Sequence, residues 1–494
     1  MMKKTRVKKC ALTALMVAAS ASMLFSCNGK KEDKAAAASD SSSSPAAAVN
    51  VGKPASITWM VHDGLHKENG TDKWAEEFEK ITGIKMNLKI VSNNEYTQLL
   101  DLAFASKDTP DVFDLTGDGR YASFVRQSAV ADLTDLVKAS PLYSRVDSAL
   151  WDSIAINGRY YGIPKEKPNG TVSYVRKDWL DRLGMKEPTT YAEFIEMLRA
   201  FKTKIPECQV PFTAPGLFQD QYLREFYQDA TPDFTKVDGK WIDGMSAPSM
   251  KAALQRLQDA YKEGLIDMEV VTNKTSTCRD EWYAGKVGVF AYWAGQWGQT
   301  LQERLQLNVP DGVVEPISMI KESHSIRVTP TVWAIPSSRS EAQIAQIFKY
   351  FMEFKNDGAA GQVLFQSGVE GLHWKQNGEY LEPLPQISNP KSVQLKAFVD
   401  PVFCVAPLTV ADKKMKHSDI FEKSLAVLNE NVIQLPIIPT SRTYLKISSD
   451  LKLLKEEILA KVVMGTLSVD EGLAKYNDEA KALGVDKVVA EFNE

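Results

Sequence analysis

The sequence predicts an α/β fold built on a mostly parallel sheet. Three observations carry that expectation. Five strand-like and helix-like segments alternate between Ile57 and Leu115, the pattern of a parallel sheet with helices on its faces. Two further apolar runs, Val287–Ala291 and Val332–Ile335, stand between helical stretches. The chain then ends in a mainly helical part from about Ser418 to Phe492.

Each element has its own signal. Ile57–Val61 (Ile-Thr-Trp-Met-Val) is mostly apolar and reads as a buried strand. Thr71–Thr82 has helical spacing, with Trp74, Phe78 and Ile81 on one face, Thr71 as N-cap and Gly83 as stop. This makes Trp74 a core residue, and Trp59, inside the first strand, a packing residue. Met86–Ile90 alternates, as a strand with one covered face does. Tyr96, Leu99, Leu100, Ala103 and Phe104 mark a second helix, and Asp111–Leu115 a short strand entered through Pro110. Thr190–Glu193 and Ser340–Gln343 are capping boxes that open two more helices. Between them a helix carries Met250, Leu254, Leu257 and Tyr261. No repeat of solenoid length is present.

The N-terminus has a different character. A basic tip (Lys3, Lys4, Arg6, Lys8, Lys9) precedes an uncharged stretch from Cys10 to Phe25. This is the layout of a secretory signal, too short and wrongly flanked for a membrane span. Cys27 closes the run Leu24-Phe25-Ser26-Cys27, which resembles a bacterial lipoprotein signal, with Phe25 where a smaller residue is more usual. The resemblance implies a signal peptide over residues 1–26 and lipidation of Cys27. Residues 27–53 are nearly all small or charged and cannot bury enough surface to order themselves, so they read as a tether. The signal holds five of 59 basic residues and no acid, leaving 54 against 63, a net −9. That balance argues against nucleic acid as partner. Cys208, Cys278 and Cys404 remain besides Cys27, an odd number that indicates no disulfide framework. The body of about 440 residues suffices for two or three domains.

Several stretches align with one family. Pro110-Asp111-Val112 follows the second helix, and Ala131-Asp132-Leu133-Thr134-Asp135-Leu136 comes next. Asn157-Gly158-Arg159-Tyr160-Tyr161-Gly162-Ile163-Pro164 and Arg176-Lys177-Asp178-Trp179-Leu180 follow in order. Gly368-Val369-Glu370-Gly371-Leu372-His373-Trp374 precedes Asn377-Gly378. Their order and spacing resemble the family 1 extracellular solute-binding proteins of ATP-binding-cassette importers, more narrowly the lipoprotein branch linked to oligosaccharide uptake. The resemblance covers nearly all of the mature chain. It implies a two-lobed, periplasmic-binding-protein-like (class II) fold with hinge strands and a ligand cleft. Lobe one would take residues 54–166 and the return 329–385, lobe two residues 167–328, and the helical part 386–494 would pack mainly on lobe two. It further implies a monomer that holds an oligosaccharide and meets permease subunits, anchored outside the cytoplasm through its lipid, on the periplasmic side in a diderm host.

Sugars offer apolar faces and hydroxyl rims, so a cleft needs aromatic rings beside carboxylates and amides. Tyr292, Trp293 and Trp297 follow the Val287–Ala291 strand and are the richest candidates. His62 and Asp63 follow the first strand, and Asp114 and Asp118 surround the end of the third. Glu166 and Asn169 lie where lobe one passes to lobe two. Trp333 sits at the return crossing, with cleft and core equally open to it. His373 and Trp374 offer a second stacking surface. Arg120, Arg126, Lys165 and Lys167 leave uronic-acid oligomers open.

Other chemistries lack support. His62 and His66 flank Gly64, a loop rather than a ligating helix. Phosphate-binding loops, dinucleotide fingerprints and nucleophile elbows are absent. No metal, cofactor or catalytic residue is expected. A glycoside-acting enzyme would need two carboxylates about 5–9 Å apart, which the sequence does not place. A surface sensor, or a binder of a non-sugar ligand on the same fold, is the remaining alternative.

Overall fold

Seven residues, Ser56–His62, form β1, whose alternate side chains Trp59 and Val61 are buried. The computed structural model describes residues 51–62, 70–116, 119–385, 405–439 and 441–494. Cys27, Asp63, His66, Asp118 and Cys404 lie outside them, as do the proposed signal and nearly all of the tether. Helix α1 (Thr71–Thr82) returns the chain to β2 (Lys85–Val91), which pairs parallel with β1 in register Ser56 to Lys85. Helix α2 (Asn93–Ala105) leads to β3 (Phe113–Leu115). A parallel bridge from Trp59 to Val112 places β3 on the other side of β1.

Two details of α1 differ from the sequence reading. Its N-cap is Gly70 at φ 81°, and Thr71 is the first helical residue. Ile81 is exposed, because Trp74, Phe78 and Thr82 define the covered stripe. Gly83 ends the helix in the left-handed region, as expected.

The remaining strands are β4 (Ile163–Pro164), β5 (Thr171–Arg176), β6 (Val210–Thr213), the hairpin β7 (Phe234–Val237) and β8 (Lys240–Asp243), and β9 (Val287–Trp293). Then come β10 (Val314–Ile317), β11 (Ser325–Arg327), β12 (Val332–Ala334), β13 (Trp374–Asn377), β14 (Tyr380–Pro383), β15 (Lys414–Met415) and β16 (Val432–Gln434). The first sheet runs β2-β1-β3-β12-β4, with β12 antiparallel to both neighbours. The second runs β10-β5-β9-β6, with β5 antiparallel to β10 and β9.

The antiparallel strands identify the functional edge. Strand β5 arrives from the first sheet and β12 from the second. Each therefore begins at the edge facing the crossing and runs away from it. Val332 opens β12 opposite Leu115 and Pro164, the ends of β3 and β4. Thr171 opens β5 opposite Trp293, the end of β9. The carboxyl ends of the other strands thus lie at the crossings, where open α/β sheets hold ligands.

Two hydrophobic cores correspond to the two sheets. One gathers Trp59, Trp74, Phe113, Trp151, Trp333 and Phe351. The other gathers Tyr174, Trp179, Phe212, Trp282, Phe290 and the C-terminal helices Arg442–Val463 and Val469–Leu483. The chain passes between cores after Ile163, after Ile320 and after Ala406. The first two passages run side by side: Val328 donates its amide to Asn169 O at 3.1 Å, and Lys165 donates its own to Thr331 O at 2.8 Å. Gly170 is required here, since a Cβ would stand 2.3 Å from Ile326 O and 2.8 Å from Leu428 Cδ1. Gly170→Ala should destabilise the fold by about 1–3 kcal/mol, seen as a lower denaturant midpoint at unchanged slope. The thiols of Cys208 and Cys278 are unpaired.

Candidate functional site

On the first sheet, the ends of β1, β3 and β4 bring together His62, Asp114 and Lys165. Asp114 is 4% exposed, and its Oδ2 accepts from Lys165 Nζ at 2.9 Å. The same oxygen lies 3.1 Å from His62 Nε2, and the His62 ring meets the edge of Tyr96 at 4.7 Å. The Tyr96 hydroxyl accepts the Asp114 amide at 2.8 Å. Burial alone would raise the Asp114 pKa. The Lys165 ammonium and the His62 and Tyr96 hydrogen bonds outweigh it and hold the carboxyl well below the usual range. Asp114 is therefore an ionised structural anchor that aims Lys165 and His62, rather than a carboxylate presented to ligand. Arg120 is likewise engaged, with Nη2 2.6 Å from Asp101 Oδ1.

On the second sheet, β9 ends in Tyr292 and Trp293, and Gly295 at φ 78° turns the chain into the helix Gln296–Gln306. Trp293 and Trp297 are half-buried, whereas Tyr292 is buried. Tyr292 stacks on Phe290 at 4.7 Å and meets Trp297 edge-on at 4.9 Å. The Trp293 ring lies 6.3 Å from Tyr222, whose hydroxyphenyl ring also stacks on Tyr292 at 6.2 Å. Half-buried indoles on a strand-end loop are suited to stacking on a sugar. Asn169 spans the crossing: Nδ2 donates to Ala294 O at 3.1 Å and Oδ1 accepts from Gly170 N at 2.8 Å. Its amide thus fastens β5 to the end of β9. Glu166 is half-buried in the same crossing.

Three expected contacts are placed otherwise. Trp333 is 1% exposed, crossing Trp59 at 5.4 Å and Phe351 at 4.9 Å, with Lys355 Nζ 4.5 Å over its ring. It belongs to the core because β12 is paired on both sides, with β3 and β4. His373 is fully buried and accepts the Val369 amide at Nδ1, 2.8 Å away. Trp374 donates Nε1 to Gly368 O at 2.9 Å and forms a small core with Val363 and Leu381. Both close the Gly368–Trp374 turn instead of stacking on a ligand.

Tyr222 and Arg279 were not singled out by the sequence. Tyr222 follows the loop after β6, a short strand whose Val-Pro-Phe-Thr pattern carries little alternation. Arg279 lies on the helix Thr275–Tyr283, which is polar over most of its length. Below it, Glu281 approaches Asp267, which accepts from Thr213 Oγ1 at 2.9 Å and Asn273 Nδ2 at 2.7 Å. Burial and the neighbouring Asp267 charge push the Glu281 carboxyl up to about 7. A carboxyl raised this way opposes folding increasingly from its unfolded value, about 4.3, up to its folded one. Glu281→Gln should therefore raise the melting temperature at pH 8 and change it little at pH 4, as paired thermal scans would show.

Among the described residues, no helix is long and apolar enough to cross a membrane, and no group of three His, Cys, Asp or Glu gathers as metal ligands. A concavity of about 350 Å³ lies elsewhere, between β2 and α2, lined by Met60, Ile90, Leu99 and Leu102. Its rim also carries Lys89, Ser106 and Asp108, and no aromatic side chain lines it.

The profile of the bacterial extracellular solute-binding proteins matches residues 65–337. The chain belongs to this family. It is 23% identical over 335 residues to Lipoprotein LipO of Bacillus subtilis, covering 63% of this chain and 66% of LipO. It is 30% identical over 272 residues to the melibiose/raffinose/stachyose-binding protein MelE of the same organism, covering 53% and 61%. The chain thus spans just under two thirds of the length of these relatives. The polygalacturonan/rhamnogalacturonan-binding protein YtcQ of B. subtilis is 23% identical over 340 residues, covering 65% and 67%. Among solved structures, the alginate-binding protein AlgQ2 superposes with a TM-score of 0.67 at 20% identity, covering 89% of this chain and 97% of AlgQ2. The N-glycan transport solute-binding protein NgtS of Streptococcus pneumoniae gives 0.65 at 18%, covering 89% and 98%. These likenesses establish the two-lobed solute-binding fold.

Proposed function

We propose that this protein is the substrate-binding lipoprotein of an ATP-binding-cassette importer, capturing an oligosaccharide between its lobes and delivering it to the permease. The observation that carries this reading is the pair of half-buried indoles, Trp293 and Trp297, at the carboxyl end of β9, beside the crossings. The names of MelE, YtcQ, AlgQ2 and NgtS, all carbohydrate binders or transporters, support it. The three passages between the cores act as the hinge, and closure brings the His62–Asp114–Lys165 edge toward Trp293 and Trp297. The sugar leaves unchanged, since the site needs stacking and hydrogen bonds and no bond is broken. Cys27 carries the lipid, residues 27–53 form the leash, and the body works as a monomer outside the cytoplasm.

Calorimetric titration with a panel of neutral and acidic oligosaccharides tests this reading. The expected result is one-to-one binding of one sugar class, with the sugar recovered intact by chromatography. Absence of binding across the panel, or release of new reducing ends, contradicts it.

A further inference from the structure

We infer that Arg279 is an anion anchor of the cleft, and that the ligand is an acidic oligosaccharide presenting a uronic-acid carboxylate beside Trp297. This inference rests on the sugar-binding reading above. The helix carrying Arg279 runs back along β9: Trp282 lies 6.3 Å from Phe290, while Arg279 Nη1 lies 3.4 Å from the Tyr292 hydroxyl. Its first turns are therefore at the carboxyl end of the strand, the edge that faces the crossings. The Arg279 guanidinium carbon stands 5.0 Å over the Trp297 ring.

Among the described residues, the charge of Arg279 is unanswered. No carboxylate among the described residues pairs with it, and its hydrogen bonding ends at the Tyr292 hydroxyl. Three other cations differ. Arg120 has Asp101 at 2.6 Å, Lys165 has Asp114 at 2.9 Å and Arg224 has Asp220 at 3.1 Å. A half-buried guanidinium over an indole, with most of its N–H donors unused, is set to take a carboxylate in two parallel hydrogen bonds. A pyranose stacked on a tryptophan carries its C6 group at the ring edge. A C6 carboxylate would then meet the guanidinium in plane, while a C6 hydroxymethyl would offer it only one neutral acceptor.

The test is titration of the protein with two matched pairs: trigalacturonate against galactotriose, and a mannuronate trimer against mannotriose. At low salt, at least one uronate trimer should bind about tenfold or more tightly than its neutral counterpart. The preference should shrink as sodium chloride is raised. Arg279→Gln should remove it, Arg279→Lys should keep part of it, and melting curves confirm that each variant is folded. Should Arg279→Gln fail to fold, the wild-type preference and Arg279→Lys decide. Equal or tighter binding of the neutral trimers, or an acidic preference untouched by Arg279→Gln, overturns the inference and leaves oligosaccharide capture standing. Failure of all four sugars, and of a wider panel, overturns both.

Discussion

Asp114→Ala is expected to lower the unfolding free energy by about 3 kcal/mol, because removing one partner of a buried charge pair strands the other. Lys165 is only 17% exposed and lies 2.9 Å from the carboxylate it would lose. His62 loses the same acceptor. The pH dependence follows from the depressed Asp114 pKa. Stability from a carboxyl lowered on folding is fully present above its unfolded value, about 3.9, and is lost as pH falls toward the folded one. The difference between wild type and Asp114→Asn should therefore be constant above about pH 5 and shrink only in stronger acid. Urea denaturation at a series of pH values measures it. A constant difference down to pH 2 would show that Asp114 contributes through shape alone.

Trp333→Ala is expected to cost about 3–5 kcal/mol, the range for deleting a large buried aromatic. Trp59, Phe351 and Phe365 surround the ring at 5.4, 4.9 and 6.1 Å, and no small rearrangement fills that volume. Trp333→Phe should recover part of the loss. Trp297→Ala should behave in the opposite way. Its half-buried indole contributes less to folding, and its removal should weaken sugar binding at nearly unchanged stability. Denaturation and titration of the two variants together separate a core tryptophan from a ligand-facing one. Similar stability losses in both would remove Trp297 from the cleft.

The alternation from Ile57 to Leu115 made β1, α1, β2, α2 and β3 legible, because each element has an unbroken local signal. Both capping boxes also form as read, Thr190 with Glu193 and Ser340 with Gln343. Local signals fail where long-range packing decides. Trp333 and Trp293 both follow apolar strand residues, yet one is core and one half-exposed. The difference is that Trp333 is itself paired on both sides, with Asp114 and Ile163, and roofed by Phe351 and Lys355, while Trp293 ends its strand and pairs only with Thr171. Asp114 looked like a ligand carboxylate because its partners, His62 and Lys165, are 52 and 51 residues away. Arg279 escaped notice because nothing local distinguishes an unpaired arginine from a solvated one. Only the lack of a carboxylate partner for Arg279 among the described residues does so.

The central claim is that a sugar sits between the strand ends of the two sheets. Hydrogen–deuterium exchange of the free and sugar-saturated protein tests it most directly. The account predicts added protection on both sides at once, around residues 113–116 and 160–170 and around residues 291–299. Helices Val469–Leu483 and Val485–Asn493 should be unchanged. Protection confined to one sheet, or centred on the concavity between β2 and α2, would contradict it.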